Sequence, residues 1–322
     1  MIKQMQVIIN PVAGQDEPVL QQLNTVLSAC DVDWEIAITK QAGDARRFAQ
    51  QAVRDRVDIV AAYGGDGTVA EVASGLVGSP VPLAILPGGT ANVMARELGI
   101  PSELAQAARL ACGLESRLEH IDVGQIQDHH FLLRAGVGLE AAVAEQADRS
   151  LKARFGMLAY FWSVLRNLRN PQLAHYQLVL DGQAVECAGV TCTIANAGSL
   201  GVADLKLDQA ISIRDGLLDV MIVEEASWRA LCTVLHRIFG PQTASRAIGA
   251  TERQDHQQVI QGAIRHWQAK EISLHMAPMQ VTQYDGEVLT PVVLPLTCKV
   301  LPGVLQVVTP NPATSSGSPL LP

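Results

Sequence analysis

Apolar runs and amphipathic stretches alternate along the first third of the chain. The apolar runs predict four buried parallel strands, at residues 7–9, 35–38, 59–62 and 83–86. The amphipathic stretches between them predict helices at residues 17–30, 43–55 and 68–78. Strands that alternate with helices in this way predict a parallel sheet with helices packed on its faces.

After about residue 117 the pattern changes, and strand-like segments dominate. They lie at residues 118–126, 130–137, 174–181, 184–195, 217–224, 270–276, 279–284 and 292–300. Turn pairs such as Asp181-Gly182, Asp215-Gly216 and Asp285-Gly286 separate several of them. This half is therefore predicted to be a mainly antiparallel β-rich domain, with one long helical insertion at residues 138–170 and a further helix at about 227–239.

These patterns divide the chain into an α/β domain at residues 1–120 and a β-rich domain at residues 121–300. The end of the chain, from about Thr309, is rich in Pro, Ser and Gly, so residues 311–322 are predicted to form a disordered tail. The predicted fold class is α/β, with an N-terminal three-layer Rossmann-like domain followed by the β-rich domain.

Composition narrows the class of protein. Of the 322 residues, 48% are hydrophobic and 17% charged, which is enough apolar material for a large core and argues against global disorder. The net charge of −8 disfavours general binding to nucleic acid or to anionic lipid. The six cysteines are scattered without a C-x-x-C pair, which disfavours a zinc site. No signal peptide or membrane-spanning run is predicted, so we expect a cytoplasmic protein.

A glycine-rich loop follows the third predicted strand and begins a helix. It consists of Gly64, Gly65, Asp66, Gly67 and Thr68. Glycines let a backbone approach a ligand closely with its amides pointing inward, and a helix N-terminus adds positive charge. The loop therefore predicts an anion site at the carboxyl end of a strand. The alternative is a plain strand-to-helix turn in which Thr68 and Glu71 form a capping box.

Two further loops of this kind strengthen the anion-site interpretation. Residues 86–90 repeat the arrangement on the next strand, again with a threonine, Thr90, at a predicted helix start. Residues 10–14 end the first strand in the same way. Loops on neighbouring strand ends face one crevice, so the three together predict a site for nucleotide phosphates.

The motifs resemble those of the diacylglycerol kinase catalytic family, which includes bacterial lipid kinases and the sphingosine and ceramide kinases. The G-G-D-G-T loop alone is shared with NAD kinases and phosphofructokinases. Its combination with Gly88-Gly89-Thr90-Ala91-Asn92 and the late Asp285-Gly286-Glu287 is more specific. The similarity extends over about residues 7–300, and Asp122, Gly136, Asn196 and Asp215 also lie in matching motifs.

The resemblance implies a two-domain kinase with Mg²⁺ and ATP bound between the domains. It also implies that the last strand, at about residues 301–310, returns to the first domain. Glu287 matches the proposed general base, and Asp215 with backbone near Leu218 and Val220 resembles a structural Mg²⁺ site. The nucleotide-binding positions that it implies are Asn10, Thr39, Gly64, Gly65, Asp66, Gly67, Thr68, Gly89, Thr90 and Asn92.

Three departures from the family pattern accompany these matches. Ala13 replaces a frequent serine, Val93 replaces an aspartate that many bacterial members carry, and residues 199–202 replace a glycine-richer run. The last two affect the expected metal geometry and lipid choice more than the kinase chemistry.

Two acidic residues are the candidate catalytic groups. Asp66 is the carboxylate expected near Mg²⁺, with a turn-stabilising role as the alternative. Glu287 is expected to take the proton of a lipid hydroxyl, and the alternative is that Asp285-Gly286 is only a hairpin turn. Asp215 and Asp219 carry the same ambiguity between turn and metal ligand.

Two other features have competing interpretations. Residues 154–168 form the most aromatic stretch and have basic flanks, which fits a helix at a membrane interface or a helix packed on the β-rich domain. His129 and His130 are interpreted as solvated loop histidines rather than metal ligands.

The sequence thus predicts ATP-dependent phosphorylation of a lipid hydroxyl, diacylglycerol-like or sphingoid, by an enzyme that meets its substrate at a membrane surface. An NAD kinase-like enzyme and a non-catalytic lipid- or nucleotide-binding protein on the same scaffold are the alternatives. The identity of the lipid and the presence of a homodimer are left open.

Overall fold

The computed structural model describes residues 2–14, 18–138, 173–199, 211–224 and 264–312. The first part of the chain forms β1 Gln4–Ile9, α1 Val19–Ala29, β2 Asp33–Ile38, α2 Asp44–Asp55, β3 Ile59–Gly64, α3 Asp66–Leu76, β4 Leu83–Pro87, α4 Val93–Glu97 and α5 Leu104–Ala111. The later part forms β5 Ser116–Ile126, β6 His129–Phe131, β7 Arg134–Gly138, β8 Ala174–Leu180, β9 Gln183–Gly189, β10 Thr191–Ala195, β11 Leu218–Val223, β12 Ile264–Ala269, β13 Glu271–Ala277, β14 Thr282–Tyr284, β15 Glu287–Val288 and β16 Leu296–Pro310.

The first four strands form a parallel sheet in the order β2-β1-β3-β4. Every residue of β3 and β4 is buried, as expected of apolar strands with helices on both faces. The prediction that residues 35–38 are buried is wrong. They lie in β2 at the edge of the sheet, where Ile36 and Ile38 are 41% and 50% exposed, because an edge strand has a neighbour on one side only.

Helices α2 and α3 pack closely against each other and so position the glycine-rich end of β3. A Cβ on Gly75 of α3 would lie 2.7 Å from the carbonyl oxygen of Arg46 and 2.8 Å from Cβ of Ala49, both on α2. Glycine is therefore required for the two helices to approach this closely. The contact brings the N-terminus of α2 beside α3.

The later strands form the predicted antiparallel half. One sheet has the order β12-β11-β10-β7-β14-β15, and it faces a hydrophobic cluster that it shares with β8, β13 and part of β16. A separate cluster fills the α/β half. The predicted fold class, a Rossmann-like α/β half followed by a mainly antiparallel β-rich half, is confirmed.

The long strand β16 joins the two halves into one sheet. Its first residues pair antiparallel with β13, as in Leu296 with Leu274, and its later part pairs parallel with β4, where Val307 lies beside Leu83. Thr309 and Pro310, the last residues of β16, pair with β5. Residues 313–322 lie outside the described part.

Several elements differ from the predictions. The sequence patterns did not indicate α5 or β12, the helix expected to start at Thr90 begins at Val93, and the segment at residues 184–195 is two strands, β9 and β10. The helices predicted at residues 138–170 and 227–239 lie outside the described residues, apart from Gly138, which ends β7. In the described ranges, none of the helices has both the length and the apolar character to cross a membrane.

Candidate functional site

The three glycine-rich loops lie together at the carboxyl edge of the parallel sheet. They follow β1, β3 and β4, and we call residues 10–14, 64–68 and 88–92 the loop cluster. The amide of Gly88 donates to the carbonyl of Gly64 at 2.9 Å, and the amide of Gly14 donates to the carbonyl of Gly88 at 2.6 Å. Backbone hydrogen bonds therefore connect all three loops directly.

Several of these glycines are required by the packing of the loops themselves. A Cβ on Gly89 would lie 2.5 Å from Cα of Gly65, and a Cβ on Gly88 would lie 2.8 Å from the Tyr63 ring. Neither position has room for a side chain unless the backbone moves. Gly67 is different, because a Cβ there would meet nothing within 4 Å. Packing of the loop cluster thus requires glycine at positions 88 and 89 but not at position 67.

The capping-box alternative for Thr68 and Glu71 is wrong. Helix α3 begins at Asp66 with Gly65 as its N-cap, which places Thr68 inside the first turn. The Thr68 hydroxyl accepts a hydrogen bond from Nδ2 of Asn10 at 3.0 Å. Glu71 points away to α2, where its Oε2 accepts from the amides of Gly43 and Ala45 at 3.0 and 3.2 Å. Both side chains therefore connect separate segments around the loop cluster.

Asp66 connects the second loop to the third. Its Oδ1 accepts from the amide of Met94 at 3.1 Å, in the first turn of α4. Asn92 holds the third loop by accepting from the amide of Gly89 at 2.9 Å and donating to its carbonyl at 2.8 Å. Asn92 has a φ of 47°, the left-handed conformation that asparagine tolerates better than most residues.

One expectation about the third loop needs correction. Thr90 is exposed and lies before the helix, which begins at Val93, so it does not start the helix as expected. Val93 itself is 8% exposed and packs in the core of the α/β half. The valine that departs from the family pattern is therefore well suited to its position here.

Thr39 lies at the end of β2, near the entrance to α2. Its amide donates to the carbonyl of Ile9 at 2.9 Å, and the side chain is half-buried. The next turn is fixed by Asp44, whose Oδ2 accepts from the amides of Lys40 and Gln41 at 2.9 and 3.2 Å. Arg47 and these amides hold the pKa of Asp44 below its usual value. Thr39 therefore belongs to a rigid turn on the same edge of the sheet.

Glu287 lies in a tight hairpin between β14 and β15, at residues 282–288, which we call the hairpin. Asp285 and Gly286 both have positive φ, 45° and 89°, as a two-residue hairpin turn requires. The side chain of Glu287 is exposed, and its Oε2 accepts from the Tyr284 hydroxyl at 3.2 Å. The hairpin interpretation is correct for Asp285-Gly286, and the turn presents Glu287 on its surface.

Asp285 anchors the hairpin to the preceding strands. Its carboxylate accepts from the amides of Leu132, Leu133 and Arg134 at 2.6, 2.9 and 3.0 Å. Burial raises the pKa of Asp285 to about 6, although the three amides act in the opposite direction. This residue therefore has a structural task that its place in the D-G-E motif did not reveal.

The prediction that His129 and His130 are solvated loop residues is wrong. Both lie on β6 and are half-buried. Nδ1 of His130 lies 3.1 Å from the Ser74 hydroxyl on α3, and Nδ1 of His129 lies 3.0 Å from the Tyr284 hydroxyl. Burial, followed by the charge of Arg46, lowers the pKa of His130. The histidines connect α3 to the hairpin, which residue spacing alone could not indicate.

The residues proposed for a structural Mg²⁺ site fit a cation poorly. Asp215 is exposed, and its Oδ1 accepts from the amide of Leu217 at 3.0 Å. Val220 pairs with Ile194 on one side and Trp267 on the other, so its carbonyl belongs to the hydrogen-bond ladder. Leu218 is also paired, with Ala269. The described residues contain no group of three or more acidic, histidine or cysteine side chains that could hold a metal.

Buried polar residues near Asp215 connect the two halves of the chain. Asp122 accepts from the amides of Gly216 and Gly303 at 2.7 and 2.8 Å, and Asn196 donates to the carbonyl oxygens of Asp122 and Leu132 at 3.0 and 2.8 Å. Burial, followed by the neighbouring carboxylates of Asp219 and Asp122, raises the pKa of Asp215. The motif residues Asp122 and Asn196 therefore fix loops rather than face the loop cluster.

The structure does not describe the aromatic stretch at residues 154–168. Residues 200–202, in the run that departs from the family pattern, also lie outside the described ranges.

Comparison with known proteins agrees with this architecture. The family model described as "Diacylglycerol kinase catalytic domain" matches residues 4–126. The model described as "YegS C-terminal NAD kinase beta sandwich-like domain" matches residues 134–309, more than half of the chain. The chain belongs to the diacylglycerol kinase catalytic-domain family, in the form that carries this C-terminal domain.

Individual relatives agree with the family models. A candidate lipid kinase of Staphylococcus haemolyticus is 29% identical over 280 residues, which is 85% of each chain. A crystal structure of a candidate diacylglycerol kinase from Bacillus anthracis strain Sterne is 28% identical with a TM-score of 0.77, over 97% of this chain and 96% of that one. A second structure from the same strain, named as a diacylglycerol kinase, is 25% identical with a TM-score of 0.68 and covers 97% of each chain.

Proposed function

We propose that this protein transfers the γ-phosphoryl group of ATP to a hydroxyl group of a lipid. The observation that carries the proposal is the loop cluster, in which three loops from neighbouring parallel strands are bonded to one another at the carboxyl edge of the sheet. This edge is where α/β proteins bind nucleotides. The candidate relatives named as lipid and diacylglycerol kinases suggest the acceptor.

The loop cluster would hold the nucleotide phosphates. Helix α3 begins within it, and the first-turn amides and the dipole of a helix favour negative charge. Gly64, Gly65, Gly67 and Gly89 would allow close approach of the phosphates, and Thr68 is held in place by Asn10. Thr39, Thr90 and Asn92 lie on the same edge and would contact the rest of the nucleotide.

Asp66 is the residue that we propose to hold Mg²⁺. One of its carboxylate oxygens accepts from Met94, and the described residues give the other oxygen no partner. Such an oxygen is available as a ligand for a hard cation. When bound, Mg²⁺ would neutralise charge on the β- and γ-phosphates during transfer. Asp66 would thus have two tasks, since it also fixes α4 to the second loop.

Glu287 would act as the general base. Its side chain is exposed at the tip of a rigid hairpin, and a carboxylate near an acceptor hydroxyl can remove its proton as the oxygen attacks the γ-phosphorus. Asp285 holds the hairpin through three amides, so the position of Glu287 is set by backbone structure. Base catalysis of this type typically contributes about 10²–10⁴-fold in rate.

The acceptor would be a hydroxylated lipid such as diacylglycerol, a sphingoid base or ceramide, met at a membrane surface. The test is transfer of labelled γ-phosphate from ATP to these three lipids in mixed micelles, with NAD as a soluble acceptor for comparison. We expect a labelled lipid product. Labelling of NAD alone would favour an NAD kinase, and ATP binding without any labelled product would favour a binding protein.

Replacement of the base is the matching mutational test. We expect Glu287→Gln to fold normally and to lose about 10²-fold or more in kcat, because the amide cannot accept the proton. Glu271→Gln, an equivalent change at the start of β13, is the control and should remain active. Near-normal turnover in Glu287→Gln would show that another group is the base.

A further inference from the structure

The Tyr284 hydroxyl lies between the side chains of Glu287 and His129. It is 3.2 Å from Oε2 of Glu287 and 3.0 Å from Nδ1 of His129. The rings of Tyr284 and His129 also pack against each other, with centroids 4.9 Å apart. Within the described residues, the Glu287 carboxylate has one side-chain hydrogen-bond partner, Tyr284. The Tyr284 hydroxyl in turn contacts His129.

The direction of these hydrogen bonds follows from the chemistry of the groups. Burial and the nearby Glu287 carboxylate raise the pKa of Tyr284 to about 12, so its hydroxyl remains protonated at neutral pH. An ionised carboxylate can only accept, so the hydroxyl donates to Glu287. The Tyr284 oxygen is then an acceptor, and the His129 tautomer that satisfies it carries its proton on Nδ1.

His129 is itself held by neighbouring elements. It lies on β6, where it pairs with Ile126 of β5, and its neighbour His130 contacts Ser74 of α3. Ser74 lies in the last turn of α3, so these contacts connect the hairpin to the C-terminal end of that helix.

From this arrangement we infer that Tyr284 and His129 are positioning residues for Glu287. They would hold the carboxylate in one orientation toward the acceptor hydroxyl, and neither would touch the reacting atoms. The inference depends on the proposed role of Glu287 as base, and it adds a specific requirement to that role: a donor on residue 129 and a hydroxyl on residue 284.

A positioned carboxylate is needed here because Glu287 lies on an exposed two-residue strand. A free glutamate side chain samples many rotamers, and ordering it costs conformational entropy. Small displacements of a catalytic group reduce rates strongly. A hydrogen bond from a tyrosine whose ring is packed against His129 would supply the order before the substrate binds.

The first experiment compares kinetic constants for the best lipid of the panel. We expect Tyr284→Phe and His129→Ala each to lower kcat about 10-fold with little change in KM for ATP. His129→Asn should retain most of the activity, since its side-chain amide can donate from nearly the position of Nδ1. Tyr176→Phe is the control, because it removes a hydroxyl whose partner is Gln280, at 2.7 Å, rather than Glu287.

The second experiment tests whether Tyr284 acts through Glu287. In the Glu287→Gln background, Tyr284→Phe should cause no further loss, because the group that it positions is already gone. A loss of the full 10-fold in the double variant would show that Tyr284 acts independently and would overturn the inference. A kcat for Tyr284→Phe within about twofold of the wild type would do the same.

Crystallography distinguishes failure of this inference from failure of the proposed function. Crystal structures of the wild type and Tyr284→Phe should show one Glu287 conformer and several conformers, respectively. If no acceptor is phosphorylated but the conformers differ as expected, the positioning stands and the proposed function fails. If Glu287→Gln is inactive and Glu287 is equally ordered in both structures, the base stands and the positioning role is wrong.

Discussion

The loop cluster and the hairpin hold their candidate functional groups in different ways. In the loop cluster, Gly64, Gly88 and Gly14 are joined by backbone hydrogen bonds, and glycines touch where side chains cannot fit. In the hairpin, a buried carboxylate and a tyrosine make the connections. In the loop cluster, packing alone therefore requires some of the glycines. In the D-G-E motif of the hairpin, Asp285 has a structural role, and its neighbour Glu287 is left for chemistry.

The largest effect is expected from Gly89→Ala, which tests whether loop packing and nucleotide binding depend on the same glycine. The new Cβ would lie 2.5 Å from Cα of Gly65, so the two loops must separate. We expect a loss of about 3 kcal/mol in the free energy of unfolding, and ATP binding at least about 10-fold weaker. Chemical denaturation and calorimetric titration with ATP measure the two effects.

Gly67→Ala is the comparison for that variant, because its Cβ would have open space. Its stability should stay within about 0.5 kcal/mol of the wild type. An equal loss of stability in both variants would mean that the distinction between packed and unpacked glycines is wrong. Weaker ATP binding by a stable Gly67→Ala would instead indicate that the ligand requires this glycine.

The next effect concerns Asp285, which anchors the hairpin. Burial raises the pKa of this residue from 3.8 to about 6. Between these values the folded protein binds more protons than the unfolded chain, so the contribution of Asp285 to stability falls as pH rises from about 4 to 6. The change is on the order of 2–3 kcal/mol. Denaturation curves at pH 4, 5, 6 and 7 should show it.

Asp285→Asn removes this titration. The amide has one acceptor oxygen for three backbone N–H groups, so the variant should be less stable at every pH. The deficit should be largest near pH 4 and smaller above pH 6. A deficit that is constant across this range would mean that folding does not shift the pKa of Asp285, and it would contradict the raised value.

The smallest effect is expected for the contact between Asn10 and Thr68, which joins the first two loops through side chains. Asn10→Ala should cost about 1–2 kcal/mol, because Oδ1 of Asn10 also accepts from the amide of Val12 at 3.1 Å. Thr68→Val should cost about 1 kcal/mol. A double-mutant cycle should give a coupling of about 0.5–1 kcal/mol, and zero coupling would show that the backbone alone joins these loops.

The sequence predicted the parts of the fold that depend on local pattern. Apolar runs at β3 and β4 indicated buried strands, and the G-G-D-G-T loop followed from its place after β3. The position of β2 at the sheet edge was not predictable, since strand order is decided by long-range packing. For the same reason, the capping-box alternative considered only local partners for Glu71, which binds amides at α2, 26–28 residues earlier.

In the candidate site, too, local patterns were predictable and long-range contacts were not. Convergence of the three loops was predictable because carboxyl ends of parallel strands share an edge. The contact between Tyr284 and His129 joins residues 155 positions apart, and neither residue type carried a signal in its local pattern. The anchoring of Asp285 by residues 132–134 was hidden for the same reason. Contacts between distant segments required the structure.

Strand β16 has a consequence for synthesis of the protein. The parallel sheet is completed by a strand that lies more than 200 residues after β4 in the chain. While the ribosome is still making the middle of the chain, the edge of β4 has no partner, and unpaired edges invite aggregation. The α/β half therefore cannot finish its sheet as an early, independent folding unit. It must wait for residues 296–310, and completion of the α/β half becomes one of the last events in the folding of the molecule.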